Sequence, residues 1–319
     1  MAADVEALVA TWKEERVVAL KSRLVTHDAR PFVPGGANND PAAVFDGKVL
    51  ALVGGVDVSY VSPAKQSAVT ESSTAAAATK TDDGAACLAV LAFPSLECVY
   101  VDVEPVSTSA PYVPGCLASR ELPPLVKLLQ RCPRAVVPSV VFVDGNGVLH
   151  PDGFGLASHL GVVAGVPTVG VGKNLLHVDG LSTKETRAAC DAAVSTCVDG
   201  ENDDVWGRDA RGRAALPLVG ESGTVWGAAV YGHRLGPIGG GRGSGKGCGG
   251  EADIGAVKKS LGSAGKPVYV SVGHGLSLAT AVALTKACSR SRVPEPVRIA
   301  DMKSREYIRE VLEVSNQPR

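Results

Sequence analysis

The chain has 319 residues, of which 45% are apolar and 20% charged, and its 32 basic and 33 acidic side chains give a formal net charge of −1. These proportions are ordinary for a folded soluble protein, and they exclude a collagen-like, intrinsically disordered or highly charged chain. The length suits one large domain or two average ones, and the 4% aromatic content means that small and β-branched residues must build the core.

The first part of the chain is predicted to contain a helix, a strand and a hairpin. An amphipathic apolar pattern predicts a helix over 4–24, and a β-type run predicts a strand over 49–58. Residues 61–86 are rich in Ser, Thr and Ala without an apolar period, so we expect a flexible insertion there. The next two strands, at 87–93 and 98–106, are separated by a short turn and predict a hairpin.

The middle of the chain alternates predicted helices with buried strands. A helix is expected over 119–131, followed by a continuous apolar run at 135–143 that is typical of a buried strand. A glycine-bearing helix over 154–164 then leads into a second buried strand at 167–172. Residues 185–223 show no clear pattern, and we interpret them as a variable, flexible insertion.

The last part of the chain contains two strands and two helices by pattern. Strands are expected near 225–231 and 268–272, with a Gly-rich flexible insertion over 236–250 between them. Helices are expected over 277–290 and 302–313. Three strands followed by helix, strand, helix and strand predict an α/β fold, a mixed sheet with helices on both faces.

The strand pattern resumes after each low-complexity stretch, which favours a single domain over 1–319 with a core at about 49–310. None of the eight cysteines lies in a Cys-x-x-Cys pair, so no zinc motif is present. Reduced thiols fit a cytoplasmic or nuclear protein, and the nucleolus is included in this expectation. Early charged residues argue against a signal peptide, and no uncharged apolar run reaches the ~20 residues of a membrane span. We expect a monomer with no membrane association, and the sequence leaves protein partners unknown.

Charge is unevenly distributed along the chain. Residues 1–210 carry 25 acidic and 16 basic side chains, whereas 211–319 carry 8 acidic and 16 basic ones. The acidic part is suited to holding a cation and the basic part to attracting a polyanion. The alternative is that surface charges vary without functional consequence, which would give the same asymmetry.

Three acidic residues stand out by position. Asp57 lies in an apolar strand, where an unpaired carboxylate costs several kcal/mol unless a cation, a partner or solvent at the strand end compensates it. Asp144 follows the buried strand predicted at 135–143 and opens an Asp-Gly turn, while Glu121 lies near the start of a helix. Each has an ordinary structural explanation, a turn or a helix dipole. Taken together they offer the hard oxygen ligands that a divalent cation prefers.

The segment 144–159 is the densest in glycine and polar side chains, which allows close backbone approach to a ligand. Within it His150 is a candidate donor to phosphate. Lys173 and His274 follow other strands and are further candidates, against the alternative of a solvated lysine and a turn histidine. Tyr112, held between two prolines, is a candidate aromatic that stacks on or wedges between bases.

These residues, in this order, resemble the endonuclease V family. The blocks that carry the resemblance are Gly-Gly-Val-Asp57-Val-Ser, Ala-Pro-Tyr112-Val-Pro-Gly, Arg120-Glu121, Val-Asp144-Gly-Asn-Gly-Val-Leu-His150-Pro, Phe-Gly-Leu-Ala-Ser-His159-Leu-Gly, Val-Gly-Val-Gly-Lys173, Val-Tyr-Val-Ser-Val-Gly-His274 and Pro-Glu-Pro-Val-Arg298-Ile-Ala-Asp301. They cover most of 49–310 apart from the three insertions.

The resemblance implies an RNase H-like fold and a Mg²⁺-dependent nuclease, in which Mn²⁺ can substitute, that cuts the second phosphodiester bond 3′ to inosine and leaves 3′-hydroxyl and 5′-phosphate ends. It implies that Asp57, Glu121 and Asp144 bind metal and act in catalysis together with His274. The implied substrate-binding residues are Tyr112 as a strand-separating wedge, with Gly145, His150, Gly153 and Lys173.

The substrate has two interpretations by resemblance. The carboxyl-terminal blocks are most similar to eukaryotic members, which act chiefly on inosine in single-stranded or duplex RNA; the alternative is repair of deaminated DNA. A third interpretation is a protein that binds inosine without cutting, and the presence of all three acids argues against it because carboxylates next to phosphates do not favour binding alone.

Overall fold

The computed structural model describes residues 10–11, 13–29, 32–33, 44–45, 48–61, 82–109, 113, 115–196, 207–208, 214–231 and 266–312. A small three-stranded antiparallel sheet is formed near the start of the chain by β1 (Phe32–Val33), β2 (Val44–Phe45) and β3 (Lys48–Val49). Before it, a π-helical turn at Lys13–Val18 continues as an α-helix at Ala19–Lys21, and these two pieces together are called α1.

The centre of the protein is a nine-stranded mixed sheet in the order β6-β5-β4-β7-β8-β12-β11-β10-β9. Its strands, in chain order, are β4 (Leu52–Tyr60), β5 (Asp82–Ala92), β6 (Cys98–Thr108), β7 (Val140–Asp144), β8 (Thr168–Gly172), β9 (Gly207–Arg208), β10 (Ala214–Val219), β11 (Val225–Tyr231) and β12 (Val268–His274). The three central strands β4, β7 and β8 run parallel, and every other pairing in this sheet is antiparallel. The predicted hairpin of β5 and β6 is confirmed.

Helices cover both faces of this sheet, as predicted. They are α2 (Ala118–Arg131), α3 (Leu156–Ala164), α4 (Thr183–Thr196), α5 (Leu278–Ala287) and α6 (Glu295–Tyr307), with a short 3₁₀ turn at Arg134–Val136 and a π-helical turn at Ile308–Leu312. In the described part of the chain, no helix combines the length and the apolar character needed to cross a bilayer.

Alternating residues of the central strands build two separate cores. On one face, Val53 of β4 and Phe142 of β7 pack against Val297 of α6, and the side chains of α5 belong to the same cluster. On the other face, Val56 and Val143 pack with residues of α2 and α3. Because side chains alternate along a strand, the odd-numbered residues of β4 and the even-numbered residues of β7 share the face that α6 covers.

Gly55 allows α6 to lie directly on this sheet. It sits between Val53 and Asp57 on the α6 face, and a Cβ atom at this position would overlap the backbone carbonyl of Pro296 in the first turn of α6. Only a residue without a side chain therefore permits this approach, which also sets the distance between β4 and the side chains further along α6.

Replacing Gly55 by alanine is expected to lower the free energy of unfolding by about 1–3 kcal/mol, the usual cost of overpacking a core. The matched control is Gly54→Ala on the opposite face, where the new methyl group would meet the ring of Pro138, whose Cγ lies 2.8 Å away and can move more easily than backbone. Urea unfolding of the two variants measures the difference, and an equal loss in both would contradict this role for Gly55.

Several predicted boundaries were wrong. β5 begins at Asp82, inside the predicted insertion 61–86, because its small residues are buried between β4 and β6 and need no apolar alternation. The predicted insertion 185–223 contains most of α4 and all of β10, which pairs with β11. Residues 62–81 and 236–250 lie outside the described residues, so those parts of the predicted insertions stay predictions.

Two further elements differ from the predicted ones. The apolar run at 135–143 divides into a 3₁₀ turn and β7, since Pro138 lies in its middle. The last helix begins at Glu295, seven residues before the predicted start at 302, with Pro296 in its first turn, where a proline loses no helical hydrogen bond.

Candidate active site

Three aspartates from different elements meet at the edge of the sheet where β4 and β7 end. One carboxylate oxygen from each of Asp57, Asp144 and Asp301 lies within 4.8 Å of the other two, and we call this set the acidic triad. Val53 pairs with Val140 and Val56 with Val143 in parallel register, so Asp57 and Asp144, one residue further along, are neighbours on the α6 face. Asp301 reaches them from α6.

Asp301 is the member of the triad that sequence reasoning missed as a site residue. It lies on the stripe of α6 that includes Val297, Ala300 and Ser304, all of them buried. A carboxylate on the apolar stripe of an amphipathic helix was a usable signal, but the helix was predicted to begin at 302, which left Asp301 outside it.

The triad concentrates negative charge away from water. Asp57 is 5% exposed, and burial, followed by the neighbouring carboxylate of Asp144, raises its pKa to about 7. Burial alone would also raise the pKa of Asp301, but hydrogen bonds from Arg305 and Lys173 lower it overall. The site therefore holds at least one carboxyl group that resists ionisation unless a cation is near.

Lys173, which follows β8, supplies the nearest positive charge to the triad. Its Nζ donates to Asp144 at 2.5 Å and to Asp301 at 3.2 Å, so the ammonium group bridges two of the three aspartates. Burial by itself would lower the pKa of Lys173, yet these carboxylates raise it. The predicted contact of Lys173 with a phosphate stays a prediction, and the ammonium group lies where such a contact is feasible.

Glu121 is close to the triad without being part of it. It belongs to α2, which covers the opposite face of the sheet from α6, and it is 6% exposed. Burial, then Asp57 and Asp144, raise its pKa to about 8, which shows that the carboxyl group faces the same charges. The acids whose oxygens lie within 4.8 Å of one another are Asp57, Asp144 and Asp301. The metal-binding role predicted for Glu121, which faces Asp57 and Asp144, stays a prediction.

His274 was predicted to complete the site, and the structure places it at the other edge of the sheet. Asp144 pairs with Val171 near the carboxyl end of β8, whereas His274 pairs with Thr168 at its amino end. The physical reason is that β12 runs antiparallel to β8, so its carboxyl end points away from the triad. There the Nδ1 of His274 accepts a hydrogen bond from the backbone N–H of Val25 at 3.3 Å.

The glycine-rich turn after Asp144 lies flat on the sheet. The backbone N–H of Gly145 donates to the carbonyl of Val171 at 3.2 Å, and that of Gly147 donates to the Oγ of Ser271 at 2.9 Å. A Cβ atom at Gly147 would overlap the carbonyl of Val272. Because Gly145 and Gly147 have no side chains, the backbone of the turn can lie directly against β8 and β12, near Lys173, which follows β8.

His150 lies in the continuation of this turn and is buried. Its Nδ1 accepts a hydrogen bond from the backbone N–H of Asp152 at 3.2 Å, and the imidazole is also hydrogen-bonded to the backbone of Gly115. Burial lowers the pKa of His150, so the ring is neutral near pH 7. Asp152 pairs with Lys13 of α1 at 3.0 Å, and Gly153 adopts a left-handed conformation with φ of 62°. The substrate contacts predicted for Gly145, His150 and Gly153 stay predictions.

Tyr112 lies outside the described residues, as do the prolines on either side of it. Gly115, three residues after Tyr112, is described and lies next to His150: a Cβ atom at this position would be 3.8 Å from Nε2 of the ring. The wedge role of Tyr112 stays a prediction.

A cleft of about 410 Å³ opens over the triad. Besides the triad and Lys173, its lining comes from the end of β4 and from the end of α6 with the turn that follows it: Val58, Ser59, Tyr60, Val61, Arg305, Ile308 and Arg309. The cleft therefore combines a carboxylate floor with basic side chains, an arrangement suited to a cation and a phosphate together.

The donor set fits a hard divalent cation. Three carboxylates from three elements supply oxygen ligands only, which is the chemistry of Mg²⁺ and Mn²⁺ sites rather than of zinc or copper sites. The carboxylates repel one another, and two features of the structure reduce this repulsion. The raised pKa of Asp57 favours its neutral, protonated form, and the ammonium group of Lys173 partly neutralises Asp144.

Comparison with known proteins identifies one family. The family model described as Endonuclease V matches residues 42–219 and 248–302. Among curated proteins, Endonuclease V from Homo sapiens is 38% identical over 318 residues, covering 98% of this chain and 88% of the human protein. Endonuclease V from Mus musculus is 38% identical over 316 residues, covering 96% of this chain and 71% of the mouse protein.

Solved structures share the fold. The catalytic domain of human Endonuclease V superposes with a TM-score of 0.66 at 37% identity, covering 96% of this chain and 98% of that one. Endonuclease V from Ciona intestinalis, solved with a 24mer DNA containing an inosine followed by a ribo-adenosine, has a TM-score of 0.65 at 24% identity and covers 96% and 99% of the two chains. The RNase H-like α/β fold implied by the resemblance is confirmed.

Proposed function

This chain belongs to the endonuclease V family, and on that premise we propose that it is a Mg²⁺-dependent endonuclease that hydrolyses RNA at the second phosphodiester bond 3′ to inosine. Mn²⁺ is expected to substitute. The products would carry 3′-hydroxyl and 5′-phosphate ends, so the bond between phosphorus and the 3′ oxygen breaks, water adds to phosphorus, and a proton reaches the leaving 3′ oxygen.

The observation that carries this proposal is the convergence of the acidic triad beneath an open cleft. A protein that only binds a polyanion has no use for three carboxylates next to the phosphates, since they repel them. The same carboxylates are needed if a cation is to sit between protein and phosphate.

Within the site, Asp57, Asp144 and Asp301 would hold the cation. When bound, a divalent cation supplies Lewis-acid stabilisation of charge on phosphate and lowers the pKa of coordinated water. Lys173 would keep its position near Asp144 and present its remaining N–H groups to a phosphate oxygen. Glu121, which faces Asp57 and Asp144 from α2, would act with them in metal binding and catalysis, as the family resemblance implies.

Base selection would fall to the turn after Asp144. Hypoxanthine has an oxygen acceptor where adenine has an amino donor, and it lacks the amino group that guanine carries at C2. A site that discriminates must offer N–H donors to that oxygen and crowd the C2 edge. The N–H groups of Gly145 and Gly147 already donate within the protein, so other backbone N–H groups of the segment 144–159 would serve as these donors. The base would have to leave its stack to reach this turn, with Tyr112 as the wedge that separates the strands.

Deaminated DNA is the second candidate substrate. The structure of the Ciona intestinalis relative contains DNA with an inosine followed by a ribo-adenosine, so that protein accommodates a mostly deoxyribose strand. The sugar of the nucleotide after inosine is therefore the position at which ribose and deoxyribose substrates are best compared.

The test is cleavage of 5′-labelled oligonucleotides of one sequence at one salt concentration, because binding to nucleic acid depends steeply on salt. Four substrates are needed: RNA with one inosine, the same RNA with adenosine, all-deoxyribose DNA with one deoxyinosine, and that DNA with a single ribose after the inosine. We expect cutting of the inosine RNA, at least about 100-fold slower cutting of the adenosine RNA, and loss of activity in EDTA.

The length of the labelled product reports the position of the cut, and its 3′ end is tested for a free hydroxyl by polymerase extension. Equal cutting of the inosine and adenosine RNAs would remove base specificity from the proposal. Faster cutting of the all-deoxyribose DNA than of the RNA would make DNA the substrate.

A further inference from the structure

Two serine hydroxyls hold one oxygen of Asp57. The Oγ of Ser59, two residues further along β4, donates to Oδ2 of Asp57 at 3.0 Å. The Oγ of Ser304, on α6, lies 2.9 Å from the same Oδ2 and 2.9 Å from the Oγ of Ser59. Ser304 is fully buried and Ser59 is 8% exposed, so water has little access to these contacts.

These contacts join two of the elements that carry the acidic triad. Asp57 comes from β4, and Ser304 lies three residues after Asp301 on α6, with its hydroxyl also 3.0 Å from the carbonyl of Asp301. A hydroxyl has one proton, and three acceptors lie within reach of Ser304: Oδ2 of Asp57, the Oγ of Ser59 and the carbonyl of Asp301. When Ser304 donates to Asp57, directly or through Ser59, the acceptor at the end is Oδ2 of Asp57.

The consequence is a fixed orientation for the Asp57 carboxylate. With both hydroxyls on Oδ2, the other oxygen of Asp57, Oδ1, is the one they leave for a cation. Without them the carboxylate could rotate about its Cβ–Cγ bond, and that torsion is intrinsically broad. Groups that orient a ligand in this way change metal affinity although they do not touch the metal.

We propose that Ser304, together with Ser59, is a positioning residue that sets the affinity of the acidic triad for Mg²⁺. This inference deepens the proposed function, since it concerns the same site and rests on the triad holding a cation. Ser304 lies beyond residue 302, where the match to the family model ends.

The experiment compares Ser304→Ala and Ser59→Ala with a matched control, Ser289→Ala. Ser289 is also a buried serine, 8% exposed, and its hydroxyl donates to the carbonyl of Thr285 at 2.7 Å, away from the triad. Each variant loses one buried hydroxyl donor, so all three should lose a similar amount of stability in the absence of metal.

The first readout uses the protein alone. MgCl₂ is titrated while the midpoint of thermal unfolding is followed, because a cation that binds only the folded state raises that midpoint as its concentration passes the dissociation constant. We expect the Mg²⁺ dissociation constant to rise about 10-fold or more in Ser304→Ala and Ser59→Ala, within the 10–100-fold typical of lost ligand-orienting partners, and to stay unchanged in Ser289→Ala.

The second readout is the Mg²⁺ concentration that gives half-maximal cleavage of the inosine oligonucleotide, which should shift by the same factor, with the KM for the oligonucleotide unchanged at saturating Mg²⁺. If Ser304→Ala loses stability like the control and leaves the Mg²⁺ titration where it was, the hydroxyl is only structural and the inference is wrong. Failure of the chain to bind Mg²⁺ at all would also overturn it. If Mg²⁺ binds but inosine is not selected, the base specificity fails while the role of Ser304 remains measurable.

Discussion

Asp301→Asn is expected to reduce cleavage of the inosine oligonucleotide by about 100-fold to 1,000-fold or more, the range seen when one preorganised charge-stabilising group is removed. The variant keeps the size of the side chain, and an amide can still accept from Arg305, which donates to Oδ1 of Asp301 at 3.0 Å. What it loses is a negative charge in a set whose oxygens lie within 4.8 Å of one another. Single-turnover cleavage at saturating Mg²⁺ measures the effect.

The paired variant is His274→Ala, for which activity within a few-fold of the unmodified protein is expected. His274 accepts a backbone hydrogen bond from Val25 at 3.3 Å at the far edge of the sheet, so its loss should cost stability of about 1 kcal/mol rather than catalysis. The reverse result, an inactive His274→Ala and an active Asp301→Asn, would show that the triad is not the catalytic centre.

Metal-free protein is expected to become less stable by a few kcal/mol as the pH rises from about 5 to about 8. Burial, followed by the surrounding carboxylates, raises the pKa of Asp57 to about 7 and that of Glu121 to about 8. In the unfolded chain both groups ionise near their ordinary values of about 4. Between these limits the folded state holds more protons than the unfolded state, so each unit of pH lowers the free energy of unfolding.

The stabilisation that these two groups contribute is fully present below about pH 4. It is lost once the pH rises above their pKa values in the folded protein. Asp301, whose pKa is lowered, acts in the opposite sense, but only at acid pH below the range compared here. Addition of Mg²⁺ should restore stability near pH 8 and have little effect near pH 5, since the cation binds ionised carboxylates and competes with protons.

Urea unfolding in EDTA and in Mg²⁺ at the two pH values measures this, with Asp57→Asn as the control. That variant removes one of the two titrating groups and should flatten the dependence in EDTA. Metal-free stability that instead increases from pH 5 to pH 8 would mean that the two carboxyl groups are already neutralised by other side chains.

The sequence predicted the two strand-end members of the triad well. Asp57 is a charged residue in an apolar strand, and Asp144 directly follows one. Because β4 and β7 are parallel and in register, these two strand ends lie side by side. Local patterns located these two acids, as they located the β5–β6 hairpin and helices α2, α3 and α5. Each acid also had an ordinary structural explanation, and the family resemblance decided for the metal-binding role.

Other predictions failed for reasons outside the local pattern. The small residues at the start of β5 form a strand because β4 and β6 flank it on both sides, not because of their own propensity. Asp301 was missed because the start of α6 was placed too late. The metal-binding role of Glu121 stays a prediction, since α2 lies on the opposite face from α6 but the carboxyl group of Glu121 still faces Asp57 and Asp144.

The amino-acid sequence by itself determined the family, the order of most strands and helices, and the presence of acids at the ends of two central strands. Only the tertiary structure decided three things: which acids lie close enough to share a cation, that His274 lies at the edge of the sheet away from the triad, and that Ser304 contacts Asp57. The physical reason is that periodicity specifies which side chains of an element are buried together. The direction in which a strand runs through the sheet, and the helix that packs over a given face, depend on contacts between residues far apart in the chain.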